Sequence, residues 1–136
     1  MIYMRNRLQI LLALLSLVTL SVFAASIDDI VSSMSLEEKV GQMTQIDISV
    51  FVKSDLSIDQ DKLEYYVRDL GIGSILNSPF SGGPVNGKTG WNATEWRQVL
   101  ANAQSLAKYP LLYGLDSIHG ATYVRDATLF PQQIAL

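Results

Sequence analysis

The stretch LLYGLDSIHGATYVRDATLFP, residues 111–131, carries the features that decide the predicted fold. Its first five residues form an apolar run that favours a buried strand. Asp116 follows directly, and glycine and turn residues come after it. In parallel α/β proteins, ligands bind at the carboxyl ends of the strands, so Asp116 is predicted to lie on the ligand side of the sheet. A helix cap or a salt bridge is the alternative role for Asp116, and position alone does not decide between them.

Helical and strand patterns alternate along the whole chain. The helical patterns cover 26–34, 35–43 with a Ser35 capping box, 59–70 and 92–108, and the strand patterns cover 44–50, 72–76 and 111–115. Two of these helices have a predicted apolar face: Leu36, Val40 and Met43 in 35–43, and Trp96, Val99, Leu100, Ala103 and Leu106 in 92–108. Pro131 indicates the start of a further helix. This alternation predicts an α/β fold with a parallel sheet. An open doubly wound sheet and a closed β/α-barrel both fit, and a complete barrel needs eight strands and about 250 residues.

The first 24 residues have the order of a secretory signal peptide. Arg5 and Arg7 precede an apolar stretch, 8–23, and Ala24 supplies a small residue for cleavage. We therefore expect a signal peptide at 1–24, a mature chain at 25–136, and a secreted protein (periplasmic in a bacterium) that leaves the membrane after cleavage. A retained membrane anchor is the alternative, because no charged residue lies between Arg7 and Asp28.

Composition excludes several functions. The chain of 136 residues is 49% hydrophobic and carries a net charge of −3, which becomes −5 when the two arginines of the predicted signal peptide are removed. A mildly acidic chain without basic clusters argues against binding to nucleic acid or to anionic membranes. An exported chain with no cysteine depends on core packing, as a large domain does. Together with the short length, this suggests that 136 residues are not the whole protein.

Nucleophilic, metal and nucleotide sites are not predicted. Ser117 and His119 lie two residues apart without a G-x-S-x-G motif, and His119 is interpreted as a structural turn residue before Gly120. A single histidine cannot build a typical zinc site. Gly71 and Gly73 begin a G-x-G pattern that Leu76 does not complete, so no dinucleotide cofactor is expected.

Other residues are weaker site candidates. Asp47 and Asn77 fall near the ends of the first and second predicted strands, by the same argument that applies to Asp116. Trp91 could stack on a sugar ring, although a tryptophan beside a helix start more often serves packing. Asn92 begins an N-x-[ST] triplet and is a candidate glycan acceptor. It could equally cap the next helix with Glu95, and the two roles are expected to compete for the same side-chain nitrogen.

Three segments resemble the start of glycoside hydrolase family 3, a family of β-glucosidases and related exo-acting β-glycosidases. They are MSLEEKVGQM at 34–43, LGIGSILN at 70–77 and PLLYGLDSIHGATYVRDATLFPQQIAL at 110–136. The resemblance implies a TIM-type (β/α)8 barrel as the first domain, followed by an α/β sandwich domain. It also implies removal of terminal, non-reducing β-D-glucosyl residues by a retaining mechanism, with Asp116 holding hydroxyls of the terminal sugar.

The same resemblance implies that the catalytic residues are absent from this chain. Retaining glycosidases need two carboxyl groups about 5–5.5 Å apart, and in this family both lie downstream of the histidine motif. Residues 25–136 are therefore expected to be the N-terminal, incomplete portion of the barrel, with no activity in isolation. The alternatives are a short secreted module that binds carbohydrate without hydrolysing it and a membrane-anchored scaffold without a ligand.

Overall fold

The computed structural model describes residues 26–118 and 120–131, in two units that divide after Ser33. The described part of the first unit is helix α1, Ile27–Ser33. Ser26 caps it, because its Oγ accepts a hydrogen bond of 3.1 Å from the backbone N–H of Asp29. This confirms the helical pattern predicted for 26–34. The predicted signal peptide and the helix expected after Pro131 lie outside the described residues.

The second unit alternates helices and strands in the predicted order. Its elements are α2 (Leu36–Gln42), β1 (Gln45–Asp47), a 3-10 turn (Ile48–Val50), α3 (Gln60–Glu64) continued by a π-helical turn (Tyr65–Asp69), β2 (Ser74–Leu76), α4 (Ala93–Leu106) and β3 (Leu112–Gly114). The chain is therefore an α/β protein, as the sequence predicted.

The three strands form one parallel sheet in the order β1-β2-β3. Asp47 pairs with Leu76, and Leu76 pairs with Gly114. The carboxyl ends of all three strands therefore lie side by side at one edge of the sheet. The backbone segments that directly follow the three strands therefore start at this same edge.

Two capping boxes fix the starts of α2 and α4. Ser35 Oγ accepts from the backbone N–H of Glu38, and the Glu38 carboxylate accepts from the N–H of Ser35. Asn92 and Glu95 form the same reciprocal pair at the start of α4. Both boxes satisfy amide groups that a helix start leaves without partners. Both were predicted from the sequence.

Gly71 and Gly73 connect the π-helical turn to β2. Gly71 has φ +61°, which ends the helix. Gly73 donates its N–H to the carbonyl oxygens of Gly41 and Thr44, at 2.9 and 3.2 Å. The two glycines precede a strand, whereas those of a nucleotide-binding loop join a strand to the following helix.

The core lies between the sheet and the helices α3 and α4. It consists of apolar side chains that are almost completely buried: Ile48, Phe51, Leu63, Val67, Ile72, Ile75, Phe80, Trp91, Trp96 and Ala103. The apolar face predicted for α4 is confirmed, because Val99, Leu100 and Leu106 pack against this cluster beside Trp96 and Ala103.

Two local predictions were wrong. The first strand ends at Asp47 rather than at Val50, because the Asp47 carboxylate accepts a hydrogen bond from the backbone N–H of Ser49 and begins a 3-10 turn. The expected apolar face of α2 is not in the core. Leu36, Val40 and Met43 keep 72%, 57% and 88% of their surface exposed.

Within residues 26–118 and 120–131, no helix is both long enough and apolar enough to cross a bilayer.

Candidate functional site

Three residues, one from or next to each strand, meet near the carboxyl edge of the sheet. Asp47 ends β1, Asn77 directly follows β2, and Tyr113 lies in the middle of β3. The Asn77 side-chain amide donates to Asp47 Oδ2 at 3.0 Å, and the Tyr113 hydroxyl donates to the Asn77 carbonyl oxygen. We call Asp47, Asn77 and Tyr113 the strand-end cluster. The sequence proposed Asp47 and Asn77 as weaker candidates, and the fold brings them into direct contact.

The strand-end cluster keeps one carboxylate ionised next to a neutral phenol. Partial burial works to raise the pKa of Asp47, but hydrogen bonds from Ser49 and Asn77 outweigh it, and the pKa of Asp47 lies below its usual value. Burial, and secondarily the negative charge of Asp47, raise the pKa of the Tyr113 hydroxyl well above its usual range. At neutral pH the cluster therefore presents a carboxylate acceptor, while the single proton of the neutral Tyr113 hydroxyl is donated to the Asn77 carbonyl oxygen.

Asp47 keeps hydrogen-bonding capacity beyond its protein partners. Its Oδ1 accepts from Ser49 and its Oδ2 from Asn77. An ionised carboxylate offers about four acceptor positions, so further donors such as sugar hydroxyls can be accommodated. Asp47 is only partly buried, which leaves a path for such a ligand.

Asp116 lies two residues beyond the end of β3, on the same side of the sheet as the strand-end cluster. Its side chain is exposed. Among the described residues, no side-chain hydrogen bond or ion pair engages it, so neither the helix cap nor the salt bridge considered from the sequence is seen there. An exposed carboxylate at this edge can accept charge-assisted hydrogen bonds from a polyhydroxylated ligand.

The surroundings of Trp91 and Ser117 show what each of these remaining candidates does in the fold. Trp91 is 4% exposed and packs edge-on against Phe80 and Trp96, with ring centroids 5.6 and 4.9 Å apart, so it serves the core and offers no stacking surface. Ser117 is partly buried, and its carbonyl accepts a hydrogen bond from the N–H of Gly120. The interpretation of His119 as a turn residue falls on a position outside the described residues.

Asn92 uses its side-chain oxygen to cap α4. Oδ1 accepts hydrogen bonds of 2.9 Å from the backbone N–H groups of both Thr94 and Glu95. A glycan would be attached to the side-chain nitrogen. The expectation that capping and glycosylation compete for one nitrogen was therefore wrong, since the two roles use different atoms of the amide.

Tyr113 was not proposed as a site residue from the sequence. It lies inside the apolar run of 111–115, a position that indicates an aromatic residue of the core. The available signal was its phenolic hydroxyl, which usually finds a hydrogen-bond partner when a tyrosine is buried. Its partner, Asn77, lies 36 positions earlier in the chain, and the sequence pattern does not show that the two residues are in contact.

The part of the chain that the structure describes contains no group of three histidine or carboxylate side chains arranged to hold a metal ion.

Comparison with known proteins identifies the family. Residues 35–136 match the model of the glycosyl hydrolase family 3 N-terminal domain. The chain belongs to glycosyl hydrolase family 3. Its sequence is also 41% identical over 117 residues to the lysosomal beta glucosidase of Dictyostelium discoideum. That alignment covers 81% of this chain and 14% of the relative.

The family 3 match begins at Ser35, the residue that caps α2, and it includes all three strands and the strand-end cluster. The resemblance seen in the sequence is thereby confirmed at the level of the family. Helix α1 precedes the matched region.

Proposed function

We propose that this chain forms the front portion of a glycosidase that removes terminal, non-reducing β-D-glucosyl residues by a retaining mechanism. The observation that carries the proposal is the match of residues 35–136 to family 3, together with the beta glucosidase relative. A β-glucoside or an oligosaccharide is the substrate class. The α/β unit is then the first part of a (β/α)8 barrel, an arrangement that the strand order β1-β2-β3 supports.

Asp116 is the sugar-binding residue of this proposal. An ionised carboxylate can accept hydrogen bonds from two neighbouring hydroxyl groups of the terminal sugar. A site built in this way rejects sugars that lack those hydroxyls. Binding the ring firmly also supplies energy for its distortion toward the transition state. The exposure of Asp116 at the carboxyl edge of the sheet supports this role.

The nucleophile and the acid/base belong, in this proposal, to a longer protein that continues beyond these residues. The 136-residue chain alone is then expected to show no turnover of an aryl β-glucoside. Hydrolysis by the purified chain that is lost in Asp116→Ala would contradict this division. Binding of a β-glucoside by the chain without any hydrolysis would instead favour a secreted carbohydrate-binding module.

The last part of the proposal is that the protein is secreted after removal of residues 1–24. The signal-peptide pattern of residues 1–24 supports it, and the Dictyostelium relative is described as lysosomal. Sequencing the N-terminus of the exported protein tests it. A new N-terminus at Ala25 is expected, whereas an intact Met1 on a membrane-bound product would favour the anchor.

A chimera provides the test of the sugar-binding role. Residues 35–136 of this chain replace the matching segment of the Dictyostelium beta glucosidase, and hydrolysis of an aryl β-glucoside is measured. Asp116→Asn keeps the shape of the side chain but removes its charge. Hydrogen bonds to charged groups contribute about 1.5–3 kcal/mol each, and about 1.4 kcal/mol corresponds to a tenfold rate change. Because the asparagine amide keeps one acceptor oxygen, one of the two charge-assisted hydrogen bonds is lost, and we expect kcat/KM to fall about 10-fold to 140-fold.

Asp126→Asn is the matched control. Asp126 is an exposed aspartate ten positions downstream, and its contact with Arg125 is long at 3.8 Å. The control is expected to retain the activity of the unsubstituted chimera. Equal losses in the two variants, or a folded chimera without activity, would contradict the proposal.

A further inference from the structure

Asn77 uses every polar group that it has. Its N–H donates to the Gly114 carbonyl oxygen at 2.9 Å, and its carbonyl oxygen accepts from the Tyr113 hydroxyl. Its side-chain nitrogen donates to Asp47 at 3.0 Å, and its side-chain oxygen accepts from the Ser81 hydroxyl. One residue thus connects the ends of β1, β2 and β3 and the start of the following loop.

The backbone of Asn77 explains why this residue type stands there. Asn77 has φ +79°, in the left-handed region that glycine, asparagine and aspartate adopt more readily than other residues. Glycine would allow the same backbone but would lose both side-chain hydrogen bonds. Aspartate would place a second carboxylate against Asp47 and could not donate to it. Among these three, only asparagine fits the backbone and both partners.

The backbone N–H of Asn77 binds the carbonyl oxygen of Gly114 at the end of β3. Gly114 is the last residue of β3, and Asp116 follows only two positions later. A Cβ at Gly114 would lie 2.9 Å from Leu76 Cδ1, so the end of β3 is also packed closely against β2. The Gly114 carbonyl is therefore fixed by Asn77 at the last backbone position before the segment that carries Asp116.

We propose that Asn77 is a positioning residue for Asp116: by joining Asp47, Tyr113 and Gly114, it holds the end of β3 so that the Asp116 carboxylate points to the sugar. This inference rests on the sugar-binding role proposed above. In this proposal Asn77 does not contact the substrate. Its action is transmitted through the Gly114 carbonyl and the Tyr113 hydroxyl.

Two substitutions test this role against one matched control. Asn77→Gly keeps the left-handed backbone and removes the side-chain links to Asp47 and Ser81. Asn77→Asp keeps the shape but sets two carboxylates against each other. Asn86→Gly is the control, because Asn86 also has positive φ, at +49°, and also donates a side-chain hydrogen bond, to the Ser54 carbonyl oxygen at 2.8 Å. It lies in the same loop but makes no bond to a strand end.

Hydrogen exchange of the backbone amides gives the first measurement, on the full chain and on the chimera. In Asn77→Gly, a peptide covering residues 112–118 is expected to exchange at least threefold faster than in the unsubstituted protein. In Asn86→Gly, this peptide is expected to exchange at the unchanged rate. Equal exchange of the 112–118 peptide in the two variants, in both proteins, would overturn the positioning role.

Kinetics of the chimera give the second measurement. Asn77→Gly is expected to lower kcat/KM about tenfold, mainly through KM, at a temperature at which both it and Asn86→Gly are fully folded. Asn77→Asp should show a pH-dependent defect that becomes smaller from pH 7 to pH 5, since protonation of one carboxyl restores a donor toward the other. Among residues 26–118 and 120–131, Asp47 and Tyr113 are the titratable groups that hydrogen-bond to Asn77, and Tyr113 stays protonated in that range.

The two proposals can fail separately. If Asp116→Asn retains full activity, the sugar-binding role of Asp116 is contradicted. The positioning role of Asn77 is then contradicted as well, because Asp116 has no sugar to bind. If Asp116→Asn is inactive but Asn77→Gly behaves as Asn86→Gly does, only the positioning role is overturned. A defect in Asn77→Asp that is the same at pH 5 and pH 7 would also count against it.

Discussion

Gly73 lies where a helix end and a strand start come closest together. A Cβ added at Gly73 would stand 2.0 Å from the Gln42 carbonyl oxygen at the end of α2, and 2.7 Å from the Gln42 carbonyl carbon. Ordinary van der Waals contact begins near 3.4 Å, so Gly73→Ala requires a relative displacement of about 1.4 Å. Both groups are backbone, and neither can move away by a side-chain rotation.

This displacement would break hydrogen bonds on both sides of Gly73. Its N–H donates to Gly41 and Thr44, and its carbonyl accepts from Leu112 of β3 at 3.0 Å. Each lost bond costs about 0.5–1.5 kcal/mol, and overpacking costs about 1–3 kcal/mol. We therefore expect Gly73→Ala to lower the free energy of unfolding by about 3–5 kcal/mol. That is a large part of the 5–15 kcal/mol typical of a domain.

Two other glycines make this a graded test. Gly71 has φ +61° but no atom within 4 Å of an added Cβ, so Gly71→Ala should cost only about 1–2 kcal/mol of backbone strain. Gly82 has open space and no positive φ, and Gly82→Ala should change stability by less than about 0.5 kcal/mol. The denaturation midpoints and soluble yields of the three chimera variants are compared. If Gly73→Ala is no more destabilising than Gly71→Ala, the close approach at Gln42 is refuted.

Two further predictions concern the helix cap and the strand-end cluster. Asn92→Ala should destabilise the protein by about 1 kcal/mol, whereas Asn92→Asp keeps an acceptor oxygen and should cost only a few tenths; equal shifts in thermal midpoint would contradict the cap. Hydrogen bonds lower the pKa of Asp47 in the folded state below its ordinary value of 3.8. The ionised carboxylate therefore stabilises the fold at pH values above 3.8, and this stabilisation is lost as the pH falls through the lower pKa of the folded state. The stability lost in Asp47→Asn at pH 7 should therefore shrink toward pH 3 in denaturation midpoints measured across pH, and a constant difference would count against the Asn77 and Ser49 bonds.

Sequence reasoning succeeded where the deciding contacts are local. The starts of α2 and α4 depend on residue pairs three positions apart, Ser35 with Glu38 and Asn92 with Glu95. Such pairs can be read directly from the chain. The first strand was extended too far for a related reason. The alternation in TQIDISV resembles a strand, but it does not reveal that the Asp47 carboxylate turns the chain at Ser49.

Burial was harder to predict than helix position. The apolar side of α2 was expected to join the core, yet Leu36, Val40 and Met43 remain exposed, and the buried residue of α2 is Gly41. The reason is the close backbone contact at this helix end, where a Cβ on Gly41 would lie 2.4 Å from the Leu70 carbonyl oxygen. A periodic pattern identifies an apolar face, but it does not show which side of the helix the sheet will meet.

The candidate site was only half predictable for the same reason. The rule that ligands bind at the carboxyl ends of parallel strands selected Asp47, Asn77 and Asp116 together. It could not show that Asp47 and Asn77 contact each other and Tyr113, because these contacts join residues 30 and 36 positions apart. In the fold, Asp47 and Asn77 bind each other, whereas Asp116 stands exposed beyond the end of β3. This difference supports the two roles proposed above, in which Asn77, bound to Asp47, supports the edge of the sheet and Asp116 is the residue proposed to contact the ligand.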